Sequence, residues 1–216
     1  MHKPGKPVIF LDFDNTLTDG DMLDALIEEF SPDDRWRVWE AEWVAGRLSA
    51  RDCLQRQIEN LRVSREALLD RAASVRVDPC FARILRWARP RQVEVIIVSD
   101  SFVPIIVHVL RHNAIEGVPV IANQLEFSGD RLRPSFPYHD PASPRSASAK
   151  GRHLAARRDR TVVFAGDGRS DLDAALEADV VFAKDALADA LRERAVAFHP
   201  FVTLEPLLAF LETMDA

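Results

Sequence analysis

The apolar positions of this chain change period several times, and each change marks an element. Residues 8–12, VIFLD, form a short apolar run ending in an acid, the pattern of a strand buried on both faces with a loop at its carboxyl end. From about residue 22 to 76 the period becomes helical, in four segments MLDALIEEF, DDRWRVWEAEWVAG, SARDCLQRQIENL and SREALLDRAASV, without β-branched runs. Ser31-Pro32, Ser49 and Ser64 each precede a helical run, where a hydroxyl can accept from the free amides of a first turn.

Beyond Pro79 strand and helix patterns alternate. A helix over 80–89 leads to VEVIIV at 93–98, a second buried strand ending in Ser99-Asp100-Ser101, and then to a helix through His112. Residues 118–122 predict a third strand, and QLEFSGDRLRP a hairpin turning at Ser128-Gly129-Asp130. Pro134, Pro137, Pro141 and Pro144 exclude helix and central strand from 134–149. Lys150 opens a helix; TVVFA (161–165) is a strand, GDGRSD a loop, DLDAALEA a helix and VVFA (180–183) a strand, and the tail closes in helices near 185–194 and 203–213. Such alternation predicts an α/β fold, a doubly wound parallel sheet, in which ligands bind beyond the carboxyl ends of the strands. The all-helical stretch then reads as an insertion after the first strand. The expected division is a core of 1–20 and 79–216 and a helical cap of 21–78.

Composition narrows the class. Lys and Arg number 28 against 34 Asp and Glu, a formal charge of −6 with no basic stripe, so nucleic acid is not an expected partner. Two cysteines, Cys53 and Cys80, make neither a disulfide framework nor the paired spacing of a zinc site, which suits a reducing compartment. No stretch approaches the roughly 20 apolar residues of a membrane span, and the opening MHKPGKPVIFLDFDNT lacks the apolar region of a signal peptide. The expectation is a cytoplasmic protein without a membrane partner; oligomeric state is left open.

The acids at the strand ends bring in chemistry. Asp12 and Asp14 flank Phe13 just after the first strand, and two carboxylates so close call for a cation or a retained proton; the bland alternative is a capped turn. In GDGRSD, Gly166 and Gly168 permit a tight backbone while Asp167 and Asp171 straddle a helix start, alone no more than an N-cap. Together the four acids form an oxygen-rich set suited to a hard divalent ion that keeps several waters, pointing to Mg²⁺ over zinc or copper. Ser99 and Lys150, unremarkable singly, would complete a site for the oxygens of a transferring phosphoryl group.

In order, D-x-D-x-T, Ser after a strand, Lys and G-D-x-x-x-D resemble the four motifs of the haloacid-dehalogenase-like superfamily across residues 12–171. The helical insertion between the first two motifs resembles the C1 cap of its phosphoserine-phosphatase-like branch. The resemblance implies a Rossmann-like core and an Mg²⁺-dependent phosphatase acting on a small-molecule phosphate ester. It implies Asp12 as the nucleophile that becomes an aspartyl phosphate and as a metal ligand. Asp14 would protonate the leaving alcohol, then activate water, and bind the metal through its backbone carbonyl. Asp167 would ligate the metal directly, with Asp171 a ligand or the acid that orients metal water. Ser99 and Lys150 would hold the phosphoryl group.

Departures from the branch bear on substrate. Phosphoserine phosphatases carry Glu where Asp21 stands, Gly-Gly in place of Asp100-Ser101, and Asn in place of Ser170, which lowers phosphoserine as a substrate. GDGRSD and ADVVFAKDALADAL are more similar to the methionine-salvage phosphatase, which acts on a 2-hydroxy-3-keto-5-methylthiopentenyl phosphate. Ser99-Asp100-Ser101 is also similar to phosphoethanolamine and phosphocholine phosphatases, whose cysteines near the lysine are missing here. Alternatives of another class are a phosphoacceptor signalling domain, whose motif order differs, and a non-catalytic phosphate-binding protein. Expected substrate contacts are Asp21, Asp100, Ser101, Gly168 and Ser170, with Trp43 and Arg47 from the cap. Trp36, Trp39 and Trp43 recur at i, i+3 and i+7, a stripe whose usual role is packing, with one tryptophan as the possible wall for a methylthio tail. Tyr138, His139 and Asp140 are candidate rim residues.

Overall fold

Four consecutive apolar residues, Val8–Leu11, form β1, and their side chains divide between two cores. Ile9 and Leu11 join Val95, Ile97, Val163 and Ala165 on one face; Val8 and Phe10 join Ile96, Val98, Val162 and Phe164 on the other. A strand apolar on both faces belongs in the middle of a covered sheet. Accordingly β1 pairs in parallel with β2 (Glu94–Phe102) on one side and β5 (Val162–Gly166) on the other, with Leu11 opposite Ile97 and Ala165.

The computed structural model describes residues 5–214. Among them seven strands make one sheet, adding β3 (Val120–Ser128), β4 (Arg131–Ser135), β6 (Val180–Ala183) and β7 (His199–Pro200) in the order β4-β3-β2-β1-β5-β6-β7. All neighbours are parallel except β3 and β4, which form the expected hairpin. Chain order reverses at β1, so the carboxyl ends of β1, β2 and β5 meet at a switch point, where ligands of such sheets bind. This is the doubly wound α/β sheet that the alternation predicts.

Helices cover both faces. On one lie Leu154 of α7 (Lys150–Ala155), Ala174 and Ala175 of α8 (Leu172–Glu177), and Leu187 and Leu191 of α9 (Asp185–Glu193). The other face and the insertion supply α1 (Met22–Phe30), α2 (Arg35–Val44), α3 (Ala50–Asn60), α4 (Arg65–Ala73), α5 (Pro79–Arg91), α6 (Val103–His112) and α10 (Glu205–Thr213). Among the described residues no helix is long and apolar enough to cross a membrane.

Helices α1–α4 form the insertion between β1 and β2. Its two connections run side by side: Thr18 and Val77 form an antiparallel bridge, Asp19 N donates to Arg76 O at 2.9 Å, and Asp78 N donates to Leu17 O at 2.8 Å. Ser49 and Ser64 cap α3 and α4 as expected, accepting from Asp52 N and Ala67 N. Ser31 instead closes α1, and α2 begins after Asp34. Leu26, Ile58 and Leu68 of the insertion share one continuous apolar cluster with Ile97 and Val109, and the tip of the β3–β4 hairpin meets it where Val63 N donates to Asp130 O at 3.1 Å.

The sheet departs from the sequence expectation in length. β2 continues through Ser99-Asp100-Ser101 to Phe102, with a register shift against β3 between Val98 and Phe102. β3 runs unbroken into the hairpin, where Pro134 sits on the edge strand, a position that needs no amide. The two-residue β7 is too short to leave a pattern. Helix α5 extends through Pro90 to Arg91 and ends at Gln92 in the left-handed region.

Candidate functional site

The switch point gathers the acids that the sequence places at three separate loops. Asp12 leaves β1 with its amide donating to Ala165 O at 2.9 Å, and the residue is 6% exposed. Lys150, 1% exposed, donates from Nζ to Asp12 Oδ1 and to Asp171 Oδ1, both at 2.7 Å. The other oxygen of Asp171 accepts from the amides of Asp167 and Gly168 at 3.0 and 2.9 Å, so the turn after β5 closes on its own acid. Asp167 is fixed from β1's loop: Thr16 Oγ1 donates to Oδ1 at 2.8 Å and Asn15 Nδ2 to Oδ2 at 2.9 Å. Asn15 Nδ2 also donates to Asp185 Oδ2 at 3.0 Å.

One carboxylate oxygen from each of Asp12, Asp167 and Asp171 lies within 4.8 Å of the others. Burial, and then the charge of Asp171, push Asp12 well above the ordinary aspartate range, against the pull of Lys150. The same two causes raise Asp167 to about 6. Lys150 is raised too: burial opposes its charge, but the pairing with Asp12 and Asp171 outweighs it. A single buried ammonium leaves this acid group under-compensated, and its donors are all hard oxygens, so the residues fit a divalent cation of the Mg²⁺ type.

Asp14 sits apart from that cluster. Its Oδ1 accepts from Leu23 N at 3.2 Å, in the first turn of α1, whose N-cap is Asp21. Burial first, and then the charge of Asp21, raise Asp14 well above the usual range. Asp21 and Asp24 are reached by solvent yet line the cavity, and partial burial, followed by the charge of Asp24 on Asp21 and of Glu40 on Asp24, brings each to about 6. The carboxylate of Asp14 therefore faces the helical insertion, while Asp12 faces Lys150.

On the β2 side Ser99 and Ser101 are both buried, and Ser99 Oγ accepts from Ser101 N at 3.0 Å. Asp100 lines the same cavity, but its carboxylate turns into the loop before α7. It accepts from Ser146 Oγ, Ala147 N, Ser148 N and Ser148 Oγ at 2.6–2.9 Å, and thereby pins the segment that delivers Lys150. Ala149, the residue before Lys150, adopts the left-handed region at φ 49°, as do Asn15 and Asp185. Three strained residues thus border the same site, where surrounding structure can hold such conformations.

A cavity of about 140 Å³ joins these groups, its floor made by Asp12, Ser99, Ser101 and Lys150 and its rim by Gly168 and Ser170. Its roof belongs to the insertion and includes Asp21, Asp24, Glu40, Trp43 and Gln57. Of the tryptophan stripe only Trp43 lines the cavity; Trp36 packs against the main apolar cluster, and Trp39 lies 5.7 Å from the Arg35 guanidinium. Arg47 lies outside, in an adjoining cavity with Arg145 and Arg169. Tyr138 packs edge-on against His153, and Asp140 accepts from Ala142 N and Arg152, so both brace the loop. Sequence reasoning missed Asn15 and the roof residues Asp24, Glu40 and Gln57. Asn15 had a signal in its place inside D-x-D-x-T, but the roof residues look like ordinary solvated positions of amphipathic helices.

A mostly parallel α/β sheet gathers acids and a buried lysine at its switch point, with a helical insertion beside the cleft, the arrangement of an α/β hydrolase site. Residues 9–176 match the family model described as haloacid dehalogenase-like hydrolase. The chain is 30% identical to the polyol phosphate phosphatase of Saccharomyces cerevisiae, covering 98% of this chain and 95% of that one. It is 26% identical to the 2-hydroxy-3-keto-5-methylthiopentenyl-1-phosphate phosphatase of Geobacillus kaustophilus, covering 96% of each. Among solved structures it is similar to a substrate-bound phosphoserine phosphatase complex, at a TM-score of 0.72 and 18% identity over 96% of this chain and 99% of that one. The chain belongs to the haloacid dehalogenase-like hydrolase family, and it is a phosphatase of that family.

Proposed function

We propose that this enzyme hydrolyses a small-molecule phosphate monoester in two halves through an aspartyl phosphate on Asp12, with Mg²⁺ held by Asp12, Asp167 and Asp171. The observation that carries this reading is the buried Lys150, bridging Asp12 and Asp171 at 2.7 Å beside a third convergent acid. When bound, the cation offsets negative charge on the phosphoryl oxygens. An Asp12 carboxylate oxygen forms a bond to phosphorus as the ester P–O bond breaks, and its electron pair leaves with the alcohol oxygen. Asp14, whose hold on a proton is raised by burial, supplies that oxygen's proton. The Asp14 carboxylate then takes a proton from water, whose oxygen attacks phosphorus and returns Asp12 to its free form. Lys150 and Ser99 hold the phosphoryl group, and the insertion 21–78 acts as a lid over the core formed by 1–20 and 79–216.

The relatives' names suggest two kinds of alcohol. Trp43, Ala50, Cys53 and Leu54 offer an apolar stretch of wall for a methylthio tail, as in the methionine-salvage substrate. Asp24, Glu40 and Gln57 on the same roof favour a hydroxylated alcohol instead. The test is steady-state hydrolysis of a panel containing an aryl phosphate, phosphoserine, phosphoethanolamine, a sugar-alcohol phosphate and the methylthiopentenyl phosphate. The expected result is Mg²⁺-dependent turnover that EDTA removes and that Asp12→Asn lowers at least about 10³-fold with the fold retained. Undiminished turnover by Asp12→Asn would overturn the assignment.

A further inference from the structure

We propose that Asp24 of α1, Glu40 of α2 and Gln57 of α3, with Ser101 of β2, form a leaving-group chamber that selects alcohols bearing hydroxyl or ammonium donors. This rests on the phosphatase reading and names its substrate class.

The chamber is part of the catalytic cavity, since the four residues line the same space as Asp12 and Lys150. Their hydrogen-bonding capacity is only partly used. Gln57, 1% exposed, spends its Nε2 on Glu40 Oε2 at 3.1 Å, and Cys53 Sγ approaches that oxygen at 3.8 Å. The other Glu40 oxygen makes no hydrogen bond to the described residues, and neither does the Asp24 carboxylate. The Ser101 hydroxyl, also 1% exposed, has no partner at all among them and borders the same cavity.

Neighbouring acids on the same helix behave differently. On α1, Glu28 pairs with Arg37 and Glu29 with Arg71, both on the outer surface of the insertion. No described Lys or Arg pairs with Asp24 or Glu40 in that way. On α1, therefore, Glu28 and Glu29 have cationic partners, whereas Asp24, which borders the cavity, keeps its carboxylate oxygens as acceptors.

Chemistry then discriminates among tails. An anionic tail would meet two carboxylates. A purely aliphatic or thioether tail would exclude water from those acceptors without replacing its bonds, which is costly in a closed site. A tail with hydroxyl or ammonium donors satisfies them, and a site built to bond a donor strongly rejects the analogue that lacks it. Ser101 Oγ can both accept from such a tail and donate to it.

The experiment uses the full chain with Mg²⁺ and compares kcat/KM for a sugar-alcohol phosphate, phosphoethanolamine and n-butyl phosphate, in wild type, Glu40→Gln and Glu40→Leu. Wild type is expected to prefer a donor-bearing ester over n-butyl phosphate at least about tenfold. Glu40→Leu should shrink that ratio about tenfold or more. Glu40→Gln, which keeps an acceptor but not the charge, separates the two donor sources: it spares a hydroxyl preference and removes an ammonium preference. Equal wild-type efficiency on all three esters overturns the inference while leaving the phosphatase reading intact, and so does a ratio unchanged in a folded Glu40→Leu. If that variant fails to fold, the wild-type ratio decides. Absence of turnover on these esters and on an aryl phosphate overturns the phosphatase reading and this inference with it.

Discussion

Asp100 borders the cavity at the switch point yet turns its carboxylate into the loop that leads to Lys150. The sequence places it at a strand end, where a substrate contact is the natural expectation, but four donors of the 146–148 segment occupy its carboxylate. Replacing it with Ala strands those donors, and we expect a loss of about 2–4 kcal/mol in unfolding free energy together with a fall in kcat as Lys150 loses its anchor. Urea denaturation and aryl phosphate kinetics on one preparation check both. A second prediction concerns protons. Asp21, Asp24 and Asp167 each sit near 6 in the folded protein against an ordinary 3.8. The folded chain thus retains protons that the unfolded chain releases between those values, so this contribution is complete below about pH 3.8 and is lost as pH rises through about 6. For EDTA-treated protein these groups should therefore lower Tm as pH rises from 4 to 7, and added Mg²⁺ should raise Tm more at pH 7.5 than at pH 5. A Mg²⁺ effect independent of pH would argue that the acids do not bind it. Asp12, Asp14, Asp167 and Lys150 were legible because residue type and order survive in one dimension; the direction of Asp100 was not, because its partners lie more than forty positions away.

At the scale of elements, the turn after β5 is built on a close approach. A Cβ on Gly166 would stand 2.6 Å from Asp171 Oδ2 and 2.9 Å from Phe164 Cε1. Gly166→Ala should push Asp171 away from the amides and ammonium it holds, weakening Mg²⁺ affinity by tenfold or more and lowering Tm; calorimetric titration with Mg²⁺ reads the first effect directly. Most elements could be read from period and caps, β1 and β5 from unbroken apolar runs and α3 and α4 from their serines. What escaped was set by tertiary partners. β2 carries Ser99, Asp100 and Ser101 as strand residues because Asn123 Nδ2 binds Asp100 O and the following loop binds its side chain, so polar residues replace the apolar signal. β7 exists only because β6 offers it an edge.

For the whole molecule, the division into sheet and helical insertion was visible as a change of period, but the way the two join was not. The shared apolar cluster means that excising 22–76 removes Leu26, Ile58 and Leu68 from the core that also holds Ile97 and Val109. Such a truncation should lose cooperative unfolding by circular dichroism, and a truncated chain that kept a sharp transition would show the insertion to be independently dispensable. The paired connections lead elsewhere. Leu17 and Asp78 are hydrogen-bonded to one another, and Asp78 is tied in turn to Cys80 N and to Leu204 N ahead of α10. A lineage can therefore exchange whatever hangs between these two residues, provided the replacement brings its own apolar underside, without shifting the aspartates gathered at the switch point. Reaction and selectivity can then be inherited, and engineered, as separate traits.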